Sequence, residues 1–153
     1  MLRHVGLRQM YIMILKEKRS ICLAMRAVAA ACKKKQVPVL IHCIHGKDRT
    51  GLVVALTLLL CDVKEDEVCK DYALSGPLLR AAKHMKMFGK DSPMYLENDE
   101  FVVTPIVVMR SVLSWMKSTT STRNANEAAE TYIRNAGLSR ESIDLIRRTF
   151  KAE

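Results

Sequence analysis

Two residues of the stretch 42–51, which reads HCIHGKDRTG, have the types and spacing for phosphoryl chemistry. Cys43 stands near its start, and Arg49 follows six positions later. A cysteine at a helix N-terminus beside cations has a lowered pKa and exists largely as a thiolate, which is a nucleophile at neutral pH. An arginine on the first helical turn can donate two N–H bonds to one phosphate. The pair therefore predicts a site where a thiolate attacks a phosphate that an arginine holds.

The residues around this pair fit a loop that encloses a phosphate. Gly46 allows the backbone to curl around a tetrahedral ligand. Thr50 places a hydroxyl where it can donate to the thiolate or to a departing phosphate. The candidate substrate-binding residues, which offer backbone N–H groups, a hydroxyl or a charge, are Ile44, His45, Gly46, Lys47, Thr50 and Gly51.

The flanking sequence predicts the elements that position this loop. Residues 37–41 are apolar and mostly branched, which is typical of a buried strand. Residues 52–60 carry no charge and one polar side chain, Thr57, so they predict a buried helix that is too short to span a bilayer. Between a strand and a helix N-terminus, free backbone N–H groups and the helix dipole together bind anions.

With these elements around it, the motif H-C-x-x-G-x-x-R-T-G resembles the signature of the cysteine-dependent tyrosine and dual-specificity phosphatases. Its ending G-K-D-R-T-G is similar to that of bacterial and lower-eukaryotic tyrosine phosphatases that also act on phosphoinositides. The resemblance covers roughly residues 8–150, including 71–75 and 137–139. It implies an α/β fold, of which this chain is the C-terminal, mostly helical part with few strands. Residues 1–153 are expected to be a single phosphatase domain that lacks its N-terminal strands.

The resemblance also implies a two-step displacement. Cys43 attacks phosphorus, Arg49 and the loop amides stabilise the equatorial oxygens, and water then hydrolyses the phosphocysteine. Residues 1–36 contain no aspartate, so Asp48 is the leading candidate for the general acid, with a structural role as its alternative. His42 is expected to support the cysteine by bonding nearby backbone. The reaction needs no cofactor and no metal.

Two loop residues leave alternatives open. His45 stands where the family usually has a small residue, and it either contacts the substrate or faces the solvent. Lys47 either holds a second phosphate, as on an inositol ring, or raises the local positive field.

Charge and cysteine usage restrict the partners and the compartment. The 25 basic and 16 acidic residues give a net charge of +9, which favours phosphorylated proteins, phosphoinositides and peripheral contact with an anionic membrane. Aromatic residues make up only 5%, without basic–aromatic interleaving, which argues against nucleic acid. Five cysteines without C-x-x-C spacing, and no evident signal peptide, predict a reducing, cytoplasmic location.

Helical periodicity predicts the other elements. Ser20 is expected to cap the second of two helices within residues 8–34, and Thr104-Pro105 to start a later one. Gly76-Pro77 should separate two helices, and Gly137 should join the last two. The predicted helices after residue 60 are 64–75, 78–88, one from 106 to the polar linker 118–122, 126–136 and 139–151, and 89–103 is predicted to be a loop.

Three functions are compatible with this pattern. The first is a phosphatase that hydrolyses phosphotyrosine monoesters through a phosphocysteine, with phosphoserine, phosphothreonine or phosphoinositides as further substrates. The second is a non-catalytic phosphate-binding module derived from such a phosphatase. A sulfur-transferring or arsenate-reducing cysteine enzyme fits the R-T-G ending less well.

Overall fold

The chain forms seven α-helices in the residues that the computed structural model describes, which are 2–34, 38–84 and 103–151. None of these residues lies in a β-strand, which confirms the mostly helical fold. The buried apolar side chains form one cluster to which every helix contributes. The helices are α1 (Leu2–Lys16), α2 (Lys18–Cys32), α3 (Arg49–Leu60), α4 (Glu65–His84), α5 (Ile106–Thr120), α6 (Ala125–Asn135) and α7 (Arg140–Phe150).

Helix α3 lies at the centre of this cluster, as its apolar sequence predicts. Helices α1, α2, α4, α6 and α7 all pack against it. Leu56 and Leu59 are fully buried, and burial of a leucine side chain stabilises the fold by roughly 1.5–3 kcal/mol. Thr57 donates its hydroxyl proton to the Val53 carbonyl oxygen at 2.9 Å, so this side chain does not bring an unpaired polar group into the core. The helix is therefore a rigid base for the loop that precedes it.

The strand predicted at 37–41 is wrong for the residues that can be described. Residues 38–41 have no regular secondary structure, and Leu40 is 85% exposed. A strand needs a neighbouring strand for its backbone hydrogen bonds. The described ranges contain no strand that could pair with it, and Val37 lies outside them.

Helices α1 and α2 separate at Glu17, so the predicted cap at Ser20 is wrong. Ser20 lies within α2, and Glu17 makes no side-chain capping bond. Instead, the Tyr132 hydroxyl of α6 donates to the Leu15 carbonyl oxygen at 2.6 Å. Carbonyls in the last turn of a helix have no partner within it, and this bond satisfies one of them. The end of α1 is thus held by a contact that no local sequence pattern reveals.

Helix α4 continues through Gly76 and Pro77, where a break was predicted. Proline has no N–H, which leaves the carbonyl four residues earlier without its helical partner. That carbonyl belongs to Ala73, and it accepts a hydrogen bond from the Thr104 hydroxyl at 2.9 Å. Thr104 is therefore not the cap of α5, whose N-cap position is Pro105.

The predicted junction between the last two helices is confirmed, whereas the two helices pack mainly against other helices, α6 against α5 and α3 and α7 against α2 and α3. Gly137 between α6 and α7 has a φ of 100°, a conformation that favours glycine. The side chains of Asn124 and Ser139 cap α6 and α7 by accepting backbone N–H bonds. Helix α5 extends to Thr120, into the predicted linker, so the linker is shorter than expected.

Parts of two predictions lie outside the described residues. These are the end of the helix predicted at 78–88 and, apart from Val103, the loop at 89–103. Within the described ranges, no helix has the length and apolarity to span a bilayer.

Candidate active site

The loop that carries the candidate residues runs directly into the first turn of α3. Residues 44–48 form a series of bends, and Arg49 is the first helical residue. Gly46, in the middle of the loop, has a φ of 68°, which is the left-handed conformation that glycine adopts without steric cost. The loop amides and the positive end of the helix dipole therefore meet at one place, which suits an anion.

Cys43 lies half-buried at the start of this loop, where several groups donate to its sulfur. Burial acts to raise the pKa of the thiol, but the Thr50 hydroxyl and the backbone N–H groups of Thr50, Gly46 and His45 together outweigh burial and lower the pKa to about 7. The Thr50 hydroxyl is buried and makes no hydrogen bond with the described residues that would turn its proton away from the sulfur. The pKa of Cys43 is thus lowered mainly by hydrogen bonds, whereas the sequence predicted that neighbouring cations would lower it.

We expect Cys43 to react with a neutral alkylating reagent before the other four cysteines at pH 7. Its rate should rise with pH through a midpoint near 7, because only the thiolate reacts. Burial raises the pKa of Cys61 and raises that of Cys69 to about 11, so both should react only in more alkaline solution. Mass mapping after brief alkylation over a pH series measures each rate.

Thr50→Val should move the Cys43 midpoint to higher pH, because the thiolate loses a hydrogen-bond donor. Thr57→Val is the matched control, since the Thr57 hydroxyl donates to the Val53 carbonyl oxygen and lies near Met25 Sδ, not near the Cys43 sulfur. An unchanged midpoint in Thr50→Val, or labelling of Cys69 as fast as Cys43 at pH 7, would contradict the proposed environment.

Arg49 and Thr50 occupy the first turn of α3, as predicted. The Arg49 side chain is exposed and borders a cavity of about 300 Å³ between residues 39–42 and α2. It makes no ion pair with the described residues, so its guanidinium is not committed to a carboxylate there. His42 borders the same cavity and is exposed, and the predicted hydrogen bond from His42 to nearby backbone is not formed with the described residues.

The remaining loop candidates differ in their exposure. Ile44 is half-exposed, whereas His45 is partly buried. Lys47 is only 2% exposed, and its ammonium donates to Asp48 Oδ1 at 3.0 Å. The charge of Lys47 is therefore paired inside the protein and does not point into the solvent.

Two tyrosines extend this pair into a buried polar network. The Tyr11 hydroxyl of α1 donates to Asp48 Oδ1 at 2.6 Å. It also lies 2.8 Å from the Tyr72 hydroxyl of α4. A Cβ atom at Gly51 would come within 3.1 Å of the Tyr72 ring, so glycine at this position lets the ring approach the first turn of α3. The network connects the loop to two helices that are distant in sequence.

Comparison with known proteins agrees with this geometry. A family model described as the tyrosine phosphatase family matches residues 3–152. The chain belongs to the tyrosine phosphatase family. It is similar to the triple specificity protein phosphatase PtpB of Mycobacterium tuberculosis, with 51% identity over 47 residues. That match covers 29% of this chain and 17% of the length of PtpB.

Sequence reasoning for this member of the tyrosine phosphatase family identified the loop but missed the tyrosine network. The structure brings Cys43, Gly46 and Thr50 together as predicted. Tyr72 lies in the predicted helix 64–75 and in the family-like stretch 71–75, which was the available signal. Tyr11 had no such signal, because its contact with Asp48 spans 37 positions of the chain.

Proposed function

We propose that this chain is a phosphatase that hydrolyses phosphotyrosine monoesters through a phosphocysteine intermediate. One observation carries the proposal: the Cys43 thiol lies at the N-terminus of a buried helix, where hydrogen-bond donors of the loop lower its pKa to about 7. Cys69, which lies buried in the core, differs, since burial raises its pKa to about 11. A thiolate in an anion-binding loop is suited to attack phosphorus.

The residues divide the two chemical steps between them. The Cys43 sulfur forms a bond to phosphorus as the ester P–O bond breaks, and the phenolate oxygen leaves with a proton from a general acid. The loop N–H groups and the Arg49 guanidinium stabilise the charge on the phosphoryl oxygens. Water then attacks phosphorus, breaks the S–P bond and regenerates the thiolate with release of inorganic phosphate.

Asp48 is the proposed general acid. Its carboxyl group is partly exposed, at the junction of the loop and α3, while its Oδ1 atom accepts hydrogen bonds from Lys47 and Tyr11. These contacts hold the carboxyl group in one orientation beside the loop. The alternative structural role, pairing with Lys47, is compatible with the same contacts, so a kinetic test must separate the two.

We expect Asp48→Asn to lower kcat for a phosphotyrosine peptide by about 10²-fold, because tyrosine leaves poorly without a proton. For an activated nitrophenyl phosphate, whose leaving group needs no proton, the loss should be only a few-fold. Steady-state kinetics on both substrates measure the difference.

Asp62→Asn is the matched control for this prediction. Asp62 also pairs with a lysine, since Lys151 donates to its Oδ2 at 2.7 Å, but the pair is exposed and joins the end of α3 to α7. The control should leave both substrates unaffected. An equal loss on both substrates in Asp48→Asn would assign Asp48 to the shape of the loop.

The burial of Lys47 supports one of its two predicted roles. An ammonium that is paired with Asp48 contributes to the local positive field, whereas a second phosphate would have to draw it out of the protein. We therefore propose that Lys47 acts on the loop and Asp48, and that the half-exposed Ile44 and the partly buried His45 contact the substrate.

We propose phosphoserine, phosphothreonine and phosphoinositides as further substrates, in a reducing, cytoplasmic compartment that preserves the thiolate. The triple specificity in the name of PtpB supports more than one substrate class, and the net charge of +9 supports anionic partners. The proposal is tested by assaying the 153-residue chain with phosphotyrosine, phosphoserine and phosphoinositide substrates. Phosphate binding without turnover of any of them would instead indicate a non-catalytic phosphate-binding module.

A further inference from the structure

The hydroxyl chain from Tyr72 through Tyr11 leads from the core to the partly exposed Asp48 carboxylate, and its hydrogen bonds have a defined direction. Tyr11 has a single hydroxyl proton, which it donates to Asp48 Oδ1 at 2.6 Å. The proton between the two tyrosines, whose oxygens are 2.8 Å apart, must then come from Tyr72. Each hydroxyl in the chain thus donates toward the carboxylate.

This arrangement makes the two oxygens of Asp48 unequal. Oδ1 accepts hydrogen bonds from both Tyr11 and Lys47. Oδ2 accepts none from the described residues. A proton on the carboxyl group therefore belongs on Oδ2, because Oδ1 already faces two donors.

Packing holds the two tyrosine side chains of this hydroxyl chain in place. Tyr11 is completely buried, and Tyr72 is nearly so. Their rings meet edge to face, with centroids 6.0 Å apart and planes at 87°. The Tyr72 ring also lies against Gly51, in the first turn of α3. Burial raises the pKa of Tyr11 and raises that of Tyr72 to about 12, so both hydroxyls keep their protons at neutral pH.

We propose that Tyr11, supported by Tyr72, is a positioning residue that fixes Asp48 so that Oδ2 delivers the proton to the leaving oxygen. This inference rests on the proposed function, with Asp48 as its acid. In the first step the Oδ2 proton passes to the phenolate oxygen as the P–O bond breaks. The resulting carboxylate is stabilised by the hydrogen bonds that Oδ1 receives, and in the second step Oδ2 takes a proton from the attacking water.

The test compares Tyr11→Phe with Tyr132→Phe in the 153-residue chain. Both changes remove one buried hydroxyl that donates a hydrogen bond of 2.6 Å, but the Tyr132 bond ends on Leu15 in the core. Tyr11→Phe should lower kcat for a phosphotyrosine peptide about tenfold, with KM unchanged, and kcat for nitrophenyl phosphate by less than about twofold. Tyr132→Phe should show no such dependence on the leaving group.

Two further variants keep the test decisive. Tyr72→Phe leaves the Tyr11–Asp48 hydrogen bond in place and should lower kcat for the phosphotyrosine peptide about threefold, less than Tyr11→Phe does. If circular dichroism shows that Tyr11→Phe is unfolded, Tyr72→Phe is compared with Tyr132→Phe instead. In an Asp48→Asn background, Tyr11→Phe should add no further dependence on the leaving group.

The possible failures can be told apart. Equal losses on both substrates in Tyr11→Phe, or the same selective loss in Tyr132→Phe, would overturn the positioning role while Asp48→Asn still shows its own selective loss. A wild-type chain without turnover, or an Asp48→Asn variant without selectivity, would overturn the proposed function and with it this inference.

Discussion

Cys43→Ser is expected to abolish hydrolysis of phosphotyrosine, with kcat/KM falling by about 10⁴-fold or more. A serine hydroxyl is not ionised at neutral pH, whereas the donors around Cys43 bring its thiol pKa to about 7. The loop amides and Arg49 remain in place, so the variant should still bind phosphate or vanadate. Phosphatase assays and calorimetric titration with the oxyanion measure the two properties separately.

Cys61→Ser is the control for this change. Cys61 is also partly buried, but it follows the last residue of α3, far along the helix from the loop, and burial raises its pKa. We expect its activity to stay within about twofold of wild type. Retained turnover in Cys43→Ser would refute a covalent mechanism, whatever the control shows.

Arg49→Ala is expected to lower kcat/KM about 10³-fold and to weaken binding of the oxyanion, unlike Cys43→Ser. The exposed guanidinium makes no ion pair with the described residues, so it is free to form two hydrogen bonds with a phosphoryl group. Arg49→Lys should recover only part of the loss, because an ammonium keeps the charge but not the planar pair of donors. The same two assays apply.

Arg148→Ala on α7 is a suitable control, because Arg148 is also an exposed arginine but lies on a different helix. It should change neither activity nor oxyanion binding. If Arg49→Ala bound the oxyanion as tightly as wild type, Arg49 would not be the phosphate clamp, and the loop amides alone would hold the ligand.

The loop and the helix behind it could be predicted because their signals are local. Glycine at position 46 permits the left-handed backbone that the structure shows there. An uncharged run after the loop has to be buried, and α3 is buried. Similarly, a glycine between two amphipathic segments predicted the turn between α6 and α7, where Gly137 has a positive φ.

The features that could not be predicted depend on contacts between distant residues. Pro77 predicted the end of a helix, yet α4 continues, because the Thr104 hydroxyl donates to the Ala73 carbonyl oxygen that the proline leaves unpaired. The end of α1 depends in the same way on Tyr132. The strand predicted at 37–41 is wrong for a related reason. Its residues have the composition of a buried strand, but the described residues contain no strand to pair with it.

The candidate site follows the same division. Residue types and spacing predicted one loop for Cys43 and Thr50, whereas the hydrogen bonds from Tyr72 to Tyr11 and from Tyr11 to Asp48 form only in the folded chain. The burial of Lys47 was equally hidden, because a lysine in a glycine-containing loop reads as exposed.

The most direct test of the central claim is to trap the phosphocysteine. The 153-residue chain is mixed with excess nitrophenyl phosphate, quenched in acid within the first turnover and analysed by intact and peptide mass spectrometry. We predict that the mass of one phosphoryl group appears on the peptide that contains Cys43 and is absent from Cys43→Ser. Hydrolysis that proceeds without any phosphorylated Cys43 peptide, or a phosphoryl group on another residue, would contradict the account.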